Sequence, residues 1–302
     1  GIDSKGGFIV AERIRKAIAA VNIEKIGHIT ASIGVASYFE HSENVDELVE
    51  LVDHAMYESK KAGRNRTTIA KTMKEISWKD VAIDTFINIL EKHRIPLDTD
   101  TTSALNKKLT DNNVQNDSIY QVSDMLISTY NPNHAIGSTK QKIILATLLS
   151  KRFELPKEKV DKLKIAVLLY DIGNLLLPKE LLQKKEPLTE DDKTFIKQHP
   201  LIATRKILEP ISDIVDIIPI IEKHHENWDG SGYPCKLVGD EIPVESQIIL
   251  IVDSYFALLE KRPYREAMSK EEAIDIILEG VNLKWNEKLA QEFVAIVRED
   301  ID

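Results

Sequence analysis

The chain has 302 residues, and 43% of them are apolar, which is enough material for two domains with cores of their own. Its net charge of −9 and its pI near 5.5 argue against sequence-independent binding to DNA or RNA, which depends on clustered Lys and Arg. Cys235 is the single cysteine, so no internal disulfide can form and the cytoplasm is the expected compartment. The longest apolar runs contain an Asp and are shorter than the ~18 residues of a membrane-spanning helix, so no membrane span is predicted.

Residues 1–70 are predicted to form a small α/β segment. Residues 11–21 carry apolar side chains at helical spacing, and residues 29–38 alternate as a strand does. Residues 45–61 have the pattern of a second amphipathic helix, which Gly63 is expected to end.

Residues 71–117 are predicted to be a helical linker. A helix over residues 74–93 ends before Pro96, and a polar stretch over residues 99–116 follows. From residue 118 to residue 302 the pattern is helix after helix, which predicts an all-helical domain. The sequence therefore predicts a mainly α protein, in which a helical bundle follows the small α/β segment.

Three helix starts stand out within residues 118–302. Pro156, Thr189 and Ser269 are residue types that favour the position before a helix. They predict helices over residues 157–169, 190–199 and 270–279.

The stretch over residues 221–234, IEKHHENWDGSGYP, is the centre of the functional prediction. Imidazole is the commonest metal ligand near neutral pH, and two adjacent histidines on a helix can both reach a site along its edge. The glycines and the proline that follow are turn residues. The stretch is interpreted as a helix that carries two metal ligands into a rigid loop; the alternative is a polar helix end before an ordinary turn.

Two aspartates interrupt strongly apolar helical segments. Asp171 lies in LLYDIGN and Asp253 lies in ILIVDSYFALL. Burying a carboxylate is costly unless it is paired or bound to a metal. Both aspartates are therefore expected to face a site rather than the core.

The string HHExxDGxGYP resembles the signature of the HD-GYP family, metal-dependent cyclic di-GMP phosphodiesterases built on the HD hydrolase fold. The resemblance runs from about residue 118 to residue 297. It implies a two-metal site bridged by the catalytic Asp171, with the full ligand set His134, Asp171, His199, His224, His225 and Asp253. It also implies substrate contacts from Asn174, Asp229, Gly232, Tyr233, Pro234, Arg262 and Arg265. Mixed imidazole and carboxylate ligands suit iron, manganese or zinc, and one or at most two ions are expected.

Residues 11–69 resemble the C-terminal half of a GGDEF domain, the diguanylate cyclase fold. Residues 6–10, GGFIV, resemble its signature strand without the Asp-Glu pair. Because the acidic metal ligands of that family are missing, no diguanylate cyclase activity is expected from this segment.

The sequence departs from the HD-GYP pattern at positions that carry chemistry. Tyr170 stands where the family has the histidine that precedes Asp171, and a phenol is a poor ligand for a divalent ion at neutral pH. Asn174 stands where the family has a lysine directed at the substrate phosphate. Phe256 replaces an acidic residue, and Gln247 replaces an arginine. One metal site has therefore lost a ligand, whereas the other keeps its set.

Two main hypotheses follow. In the first, the chain is a cyclic di-GMP signalling protein whose degenerate HD-GYP domain has weak or no catalysis and acts by binding a nucleotide or a partner. In the second, it is a slowed metal-dependent phosphodiesterase that produces linear pGpG or GMP. A helical bundle with a purely structural role is the third alternative. The expected ligand is cyclic di-GMP or a related dinucleotide, and a GGDEF-domain protein and a second copy of the chain are candidate partners.

Overall fold

The structure is a computed structural model, and it describes residues 3–23, 27–38, 40–42, 45–71, 78–92, 100–101, 103–105, 118–132, 134–184, 186–209, 211–261 and 265–299. The chain forms two compact units, Gly1–Ser77 and Trp78–Asp302. The predicted domain boundaries at residues 70 and 117 stay predictions.

The first unit is a small α/β arrangement. Its elements are α1 (Ser4–Ala20), β1 (Asn22–Ile23), β2 (Gly27–His28), β3 (Ile33–Val35), α2 (Val45–Lys61) and β4 (Thr67–Ile69). Strands β1 and β2 pair antiparallel, and β3 and β4 pair parallel with Ile33 opposite Thr67. Helix α2 packs on β3 and β4 over a small core of Leu51, Ala55 and Ala70.

The predicted signature strand over residues 6–10 is wrong, because these residues belong to α1. Asp3 caps the helix by accepting the N–H of Gly6 at 2.7 Å, and the N–H and hydroxyl of Ser4 donate to the carboxylate of Glu40. These bonds fix the helix start upstream of both glycines. The predicted strand over residues 29–38 shrinks to β3, since a strand extends only as far as its pairing partner, and β4 has three residues.

The second unit is helical. Its α-helices are α3 (Trp78–Lys92), α4 (Ser118–Ser128), α5 (Ser138–Arg152), α6 (Lys157–Leu169), α7 (Lys179–Leu182), α8 (Glu190–Ile196), α9 (His199–Ile202), α10 (Ile218–Glu222), α11 (Val244–Leu259), α12 (Lys270–Glu279) and α13 (Glu287–Arg298). Short 3₁₀ turns cover Ile172–Leu176, Ser212–Ile217 and Gly239–Glu241, and a π-helical stretch covers Ala203–Leu208. The predicted mainly α fold is confirmed.

The core of the second unit is built around α5, which packs against α6, α11 and α13. Leu163, Ala166 and Leu169 of α6 are fully buried, and α11 is buried along most of its length. This packing places the middle of α5, the end of α6 and the middle of α11 side by side. None of the helices in the described ranges has both the length and the apolar composition that a bilayer-spanning helix needs.

The three helix-start signals perform as predicted, with one difference in length. Pro156, Thr189 and Ser269 are the N-caps of α6, α8 and α12, and α6 and α12 have the predicted bounds. Helix α8 ends at Ile196 rather than at residue 199. Pro200 has no N–H to continue the helix, and such a residue is favoured in the first turn of a new helix, here α9. Of the predicted linker, residues 71, 78–92, 100–101 and 103–105 are described, and all except residue 71 are helical.

Candidate metal centre

Four of the predicted site residues converge on one point. Asp171 lies two residues after the end of α6, His199 begins α9, and His224 and His225 follow α10. One ligand atom from each of the four lies within 4.8 Å of every other. The two adjacent histidines lie in the turn after α10, which ends at Glu222, so the predicted helix that would carry them is wrong by one turn.

A close backbone approach brings Asp171 to His199. Gly173 lies in the 3₁₀ turn after Asp171, and a Cβ atom at this position would be 2.0 Å from the carbonyl oxygen of His199. Only a glycine allows the turn and the start of α9 to meet this closely. As a result, Asp171 Oδ1 lies 3.2 Å from His199 Nε2.

Backbone carbonyls fix the orientation of two imidazole rings. His199 Nδ1 lies 2.9 Å from the carbonyl oxygen of Ile196, and His224 Nδ1 lies 2.6 Å from that of Ile221. A carbonyl only accepts hydrogen bonds, so each Nδ1 carries a proton and donates it. In the neutral ring this leaves the lone pair on Nε2 free for a metal ion, which is how metal-binding histidines are commonly oriented.

The two Nε2 atoms lie 3.3 Å apart. Burial, followed by the neighbouring His199, lowers the pKa of His224 to about 4, so this ring is neutral at pH 7. Burial, with His224 and His199 as further causes, also holds the pKa of His225 well below its usual range. Lone pairs that face each other at this distance repel, and a cation bound by both rings would remove the repulsion.

The spacing of the donors fits one divalent ion. Ligand atoms ~2.1 Å from a tetrahedral metal lie ~3.4 Å from one another. The distance between the two Nε2 atoms is 3.3 Å, and that between Asp171 and His199 is 3.2 Å. Asp171, His199, His224 and His225 could therefore hold one metal ion.

The Gly-Tyr-Pro loop packs directly on the cluster. The ring of Tyr233 stacks on His225 with the centroids 4.8 Å apart, and the Tyr233 N–H donates to the carbonyl oxygen of His225. Burial raises the pKa of Tyr233, so its phenol stays protonated. Gly232 is required here, because a Cβ atom would be 2.2 Å from the backbone nitrogen of Asn227.

Glu226, the residue after the histidine pair, holds this loop in place. Its carboxylate is buried and accepts the N–H groups of Cys235 and Leu237 at 2.5 and 3.0 Å. The sequence prediction did not assign it a role. Its place in the HHE string was the available signal, since a buried carboxylate requires donors.

The other predicted substrate contacts divide into two groups. The Asn174 amide donates to Asp171 Oδ1 at 3.1 Å and so borders the cluster. Asp229 is exposed and accepts the N–H of Ser231, and the Arg265 guanidinium donates to the carbonyl oxygens of Ala257 and Leu258 at the end of α11. These two side chains shape the turn and cap the helix. Pro234 follows Tyr233 in the loop, and Arg262 lies outside the described residues.

His134 is a predicted ligand that the structure does not bring to the cluster. Its Nε2 lies 2.7 Å from Asp124 Oδ1, and its Nδ1 lies 3.7 Å from Glu260 Oε1. The Asp124 carboxylate also accepts the N–H groups of Gly137 and Thr139, which ties α4 to the start of α5. Both ring nitrogens thus face carboxylates of their own.

Asp253 is the second predicted ligand outside the four-residue cluster. Its Oδ1 lies 2.5 Å from the Tyr170 hydroxyl and 2.9 Å from Lys142 Nζ, and Lys142 Nζ lies 2.7 Å from the same hydroxyl. We call these three residues the Lys142 triad. The sequence prediction missed Lys142. Its signal was a lysine on the apolar face of α5, in line with the buried Ala146 and Leu149.

Comparison with known proteins assigns the helical unit. The family described as HD domain matches residues 121–288, which is more than half of the chain. The chain belongs to the HD domain family. The family described as diguanylate cyclase, GGDEF domain, matches residues 1–66. The predicted HD-GYP protein with a partial GGDEF segment is confirmed by these matches and by the relatives of the HD domain.

These relatives are named as cyclic dinucleotide phosphodiesterases. The cyclic di-GMP phosphodiesterase response regulator RpfG of Xanthomonas campestris is 36% identical over 131 residues, which cover 43% of this chain and 35% of RpfG. A cyclic di-GMP phosphodiesterase of Thermotoga maritima is 29% identical over 189 residues, covering 62% of this chain and 51% of the relative. The 3'3'-cGAMP-specific phosphodiesterase 1 of Vibrio cholerae is 36% identical over 134 residues, covering 44% and 31%. The chain thus spans between 31% and 51% of the length of these relatives.

Proposed function

We propose that this chain is a cyclic dinucleotide signalling protein whose HD domain binds one divalent metal ion and a cyclic di-GMP-type ligand, with weak or no hydrolysis. The observation that carries the proposal is the contrast on the two sides of Asp171. On one side, three imidazoles meet its carboxylate. On the other, Tyr170 stands in the place of a histidine, and its hydroxyl is already bonded to Asp253.

The metal ion in this proposal is held by Asp171, His199, His224 and His225, and iron, manganese or zinc suits such a donor set. When bound, the ion would polarise a phosphoryl oxygen of the ligand. The chain's own residues do the rest. The carbonyl oxygens of Ile196 and Ile221 orient two of the rings, and Asn174 holds the Asp171 carboxylate.

The proposed nucleotide is cyclic di-GMP or a related cyclic dinucleotide. Two observations support this ligand class: the relatives are named for cyclic di-GMP and for 3'3'-cGAMP, and the Tyr233 ring lies beside the cluster. An aromatic ring next to a metal-bound phosphate offers a surface on which a base can stack. The GGDEF-like segment is proposed to have no cyclase activity, and the chain is proposed to act in the cytoplasm.

Weak or absent hydrolysis follows from what a two-metal site provides. Two ions activate water and clamp both oxygens of the displacement, and the loss of one preorganised electrostatic group typically costs ~10²–10³ in rate. This HD domain has a tyrosine in place of a ligand and an asparagine, Asn174, in place of a phosphate-facing lysine. Both changes lower the expected rate.

A slowed phosphodiesterase is the second candidate function. The specific observation in its favour is the complete four-residue cluster, since a domain that has lost all chemistry has no need of three converging imidazoles. The two candidates share the metal ion and the ligand, and they differ only in turnover.

The test measures three quantities on the purified chain: metal content, cyclic di-GMP binding by calorimetry, and release of pGpG or GMP by chromatography. We expect one equivalent of metal, nucleotide binding that disappears after chelation, and turnover at least ~10²-fold below that of a two-metal relative. Turnover equal to that of the relative would establish the phosphodiesterase instead. Absence of both metal and nucleotide binding would indicate a purely structural bundle.

A further inference from the structure

We infer that Lys142 takes the place of the second metal ion: its ammonium group, held by Asp253 and the Tyr170 hydroxyl, supplies the positive charge on this side of Asp171 and excludes a metal ion from it. This assigns a function to a residue that the HD-GYP resemblance does not include. The inference rests on the proposed function only for the first metal ion, at the four-residue cluster.

The three polar groups of the Lys142 triad bond to one another. Lys142 on α5, Tyr170 at the end of α6 and Asp253 on α11 come from three different helices, and each of the three polar groups contacts the other two. Two donors converge on one oxygen, Asp253 Oδ1. A metal ion bound by Oδ1 would lie ~2 Å from that oxygen, in the space that the phenol and the ammonium group fill.

The groups around Lys142 Nζ favour an ammonium group over a divalent metal ion. Lys142 Nζ lies 5.9 Å from the centroid of the Phe256 ring. An aromatic ring attracts a cation over its face, whereas it offers no ligand atom to a metal ion. Phe256 stands where the family has an acidic residue, so this departure and Tyr170 both suit an ammonium group better than a divalent ion.

The charges of the triad balance without any ion. Lys142 Nζ and the Tyr170 hydroxyl both donate to Asp253 Oδ1, at 2.9 and 2.5 Å, and the carboxylate accepts both hydrogen bonds. The Tyr170 hydroxyl also accepts a hydrogen bond from Lys142 Nζ at 2.7 Å, so the phenol donates its own proton to Asp253. The triad therefore holds one positive charge, one negative charge and a neutral donor.

Lys142 would oppose the binding of a divalent ion beside Asp253. It would compete with Lys142 for Asp253, and the two cations would then repel each other at short range in a buried site. The same ammonium group adds a fixed positive charge close to the metal ion at the cluster. The Lys142 triad therefore keeps the site at one metal ion while preserving positive charge for a phosphate.

The test counts bound Mn²⁺ by elemental analysis after reconstitution and dialysis. Three proteins are compared: wild type, the double variant Lys142→Met/Tyr170→His, and Lys151→Met as the matched control. Lys151 lies on the same helix as Lys142 and is exposed. We expect one equivalent for wild type and for the control. We expect two for the double variant, because it frees Asp253 and adds an imidazole beside Asp171. The second equivalent should also raise the melting temperature of the double variant.

Three outcomes would overturn the inference, and the first two concern the wild type and the double variant. One is a wild type that binds two equivalents, and the other is a folded double variant that still binds one. Lys142→Arg keeps the positive charge, so we expect it to bind one equivalent of metal. This variant remains informative if the double variant does not fold, and two equivalents in Lys142→Arg would also refute the inference. A wild type without metal beside a double variant with one equivalent would refute the proposed single-metal centre while supporting the role of Lys142.

Discussion

Tyr170 and Asp171 are neighbours in the sequence, yet they belong to two regions that satisfy charge in opposite ways. Around Asp171, three imidazoles and a carboxylate direct their acceptor atoms at one point, an arrangement that a divalent ion stabilises. Around Tyr170, the Asp253 carboxylate already has an ammonium group and a phenol as donors. One site can therefore combine a position that requires an external cation with a neighbouring position at which Lys142 supplies the cation.

The largest expected effect tests the region around Tyr170, where Lys142 supplies the cation for Asp253. Lys142→Met leaves the Asp253 carboxylate with a phenol but without its cation, and breaking a buried ion pair from one side costs ~3–5 kcal/mol of unfolding free energy. Because the Asp253 side chain is 25% exposed, we expect a loss at the lower end of this range, ~3 kcal/mol. Urea denaturation of the metal-free protein measures it. Lys151→Met on the exposed side of α5 should change stability by no more than ~0.5 kcal/mol. A loss of similar size in both variants would show that Lys142 is not essential to the packing of Asp253.

The next effect separates the two histidines that sequence alone treats as equivalent. His224→Ala removes a ligand of the cluster and should weaken metal binding by at least ~10²-fold, because even residues that only orient a ligand contribute 10–100-fold. His134→Ala should leave metal affinity unchanged and reduce stability instead, since Asp124 loses its partner. Titration calorimetry measures the metal affinity of both variants, and scanning calorimetry measures their stability. Equal loss of metal in the two variants would return His134 to the ligand set.

Metal removal should destabilise the cluster around Asp171 and leave the Lys142 triad unchanged. At a free metal concentration of 100 times the dissociation constant, bound metal adds ~2.7 kcal/mol to the stability of the folded protein. A chelator should therefore lower the melting temperature of the wild type and of Lys151→Met, but not that of His224→Ala. Thermal unfolding with and without the chelator is the measurement. A chelator response in His224→Ala would place the metal somewhere other than the cluster.

The smallest expected effect concerns the contact that brings Asp171 to His199. Gly173→Ala introduces a Cβ atom against the His199 carbonyl, and such overpacking typically costs ~1–3 kcal/mol. Because the start of α9 must shift, metal affinity should fall together with stability. Thr189→Ala is the control: it removes the cap of α8 and should cost ~1 kcal/mol without any change in metal affinity. Unchanged metal affinity in Gly173→Ala would mean that the two backbones can separate without moving the ligands.

Features that depend on neighbouring residues were predictable from the sequence. The bounds of α6 and α12 follow from Pro156 and Ser269, whose effects act over one helical turn. The proposed ligands His224 and His225 lie within one short motif. The strand predicted over residues 6–10 failed because a distant carboxylate, Glu40, acts together with the cap at Asp3 to decide the conformation of that segment.

The Lys142 triad could not be predicted, since its members are 28 and 83 residues apart in the sequence. Tyr170 was recognised as an unusual residue, but only the fold shows what replaces the missing imidazole. His134 illustrates the converse case. Its position suggested a ligand, whereas its partner Asp124 lies ten residues upstream and is brought to it by the turn between α4 and α5.

The most direct test of the account is a crystal structure of the Mn²⁺-reconstituted protein with anomalous scattering data. We predict one anomalous peak, ~2.1–2.3 Å from the Nε2 atoms of His199 and His224, with Lys142 Nζ still within hydrogen-bonding distance of Asp253. A second peak beside Asp253, with the Lys142 side chain displaced, would contradict it.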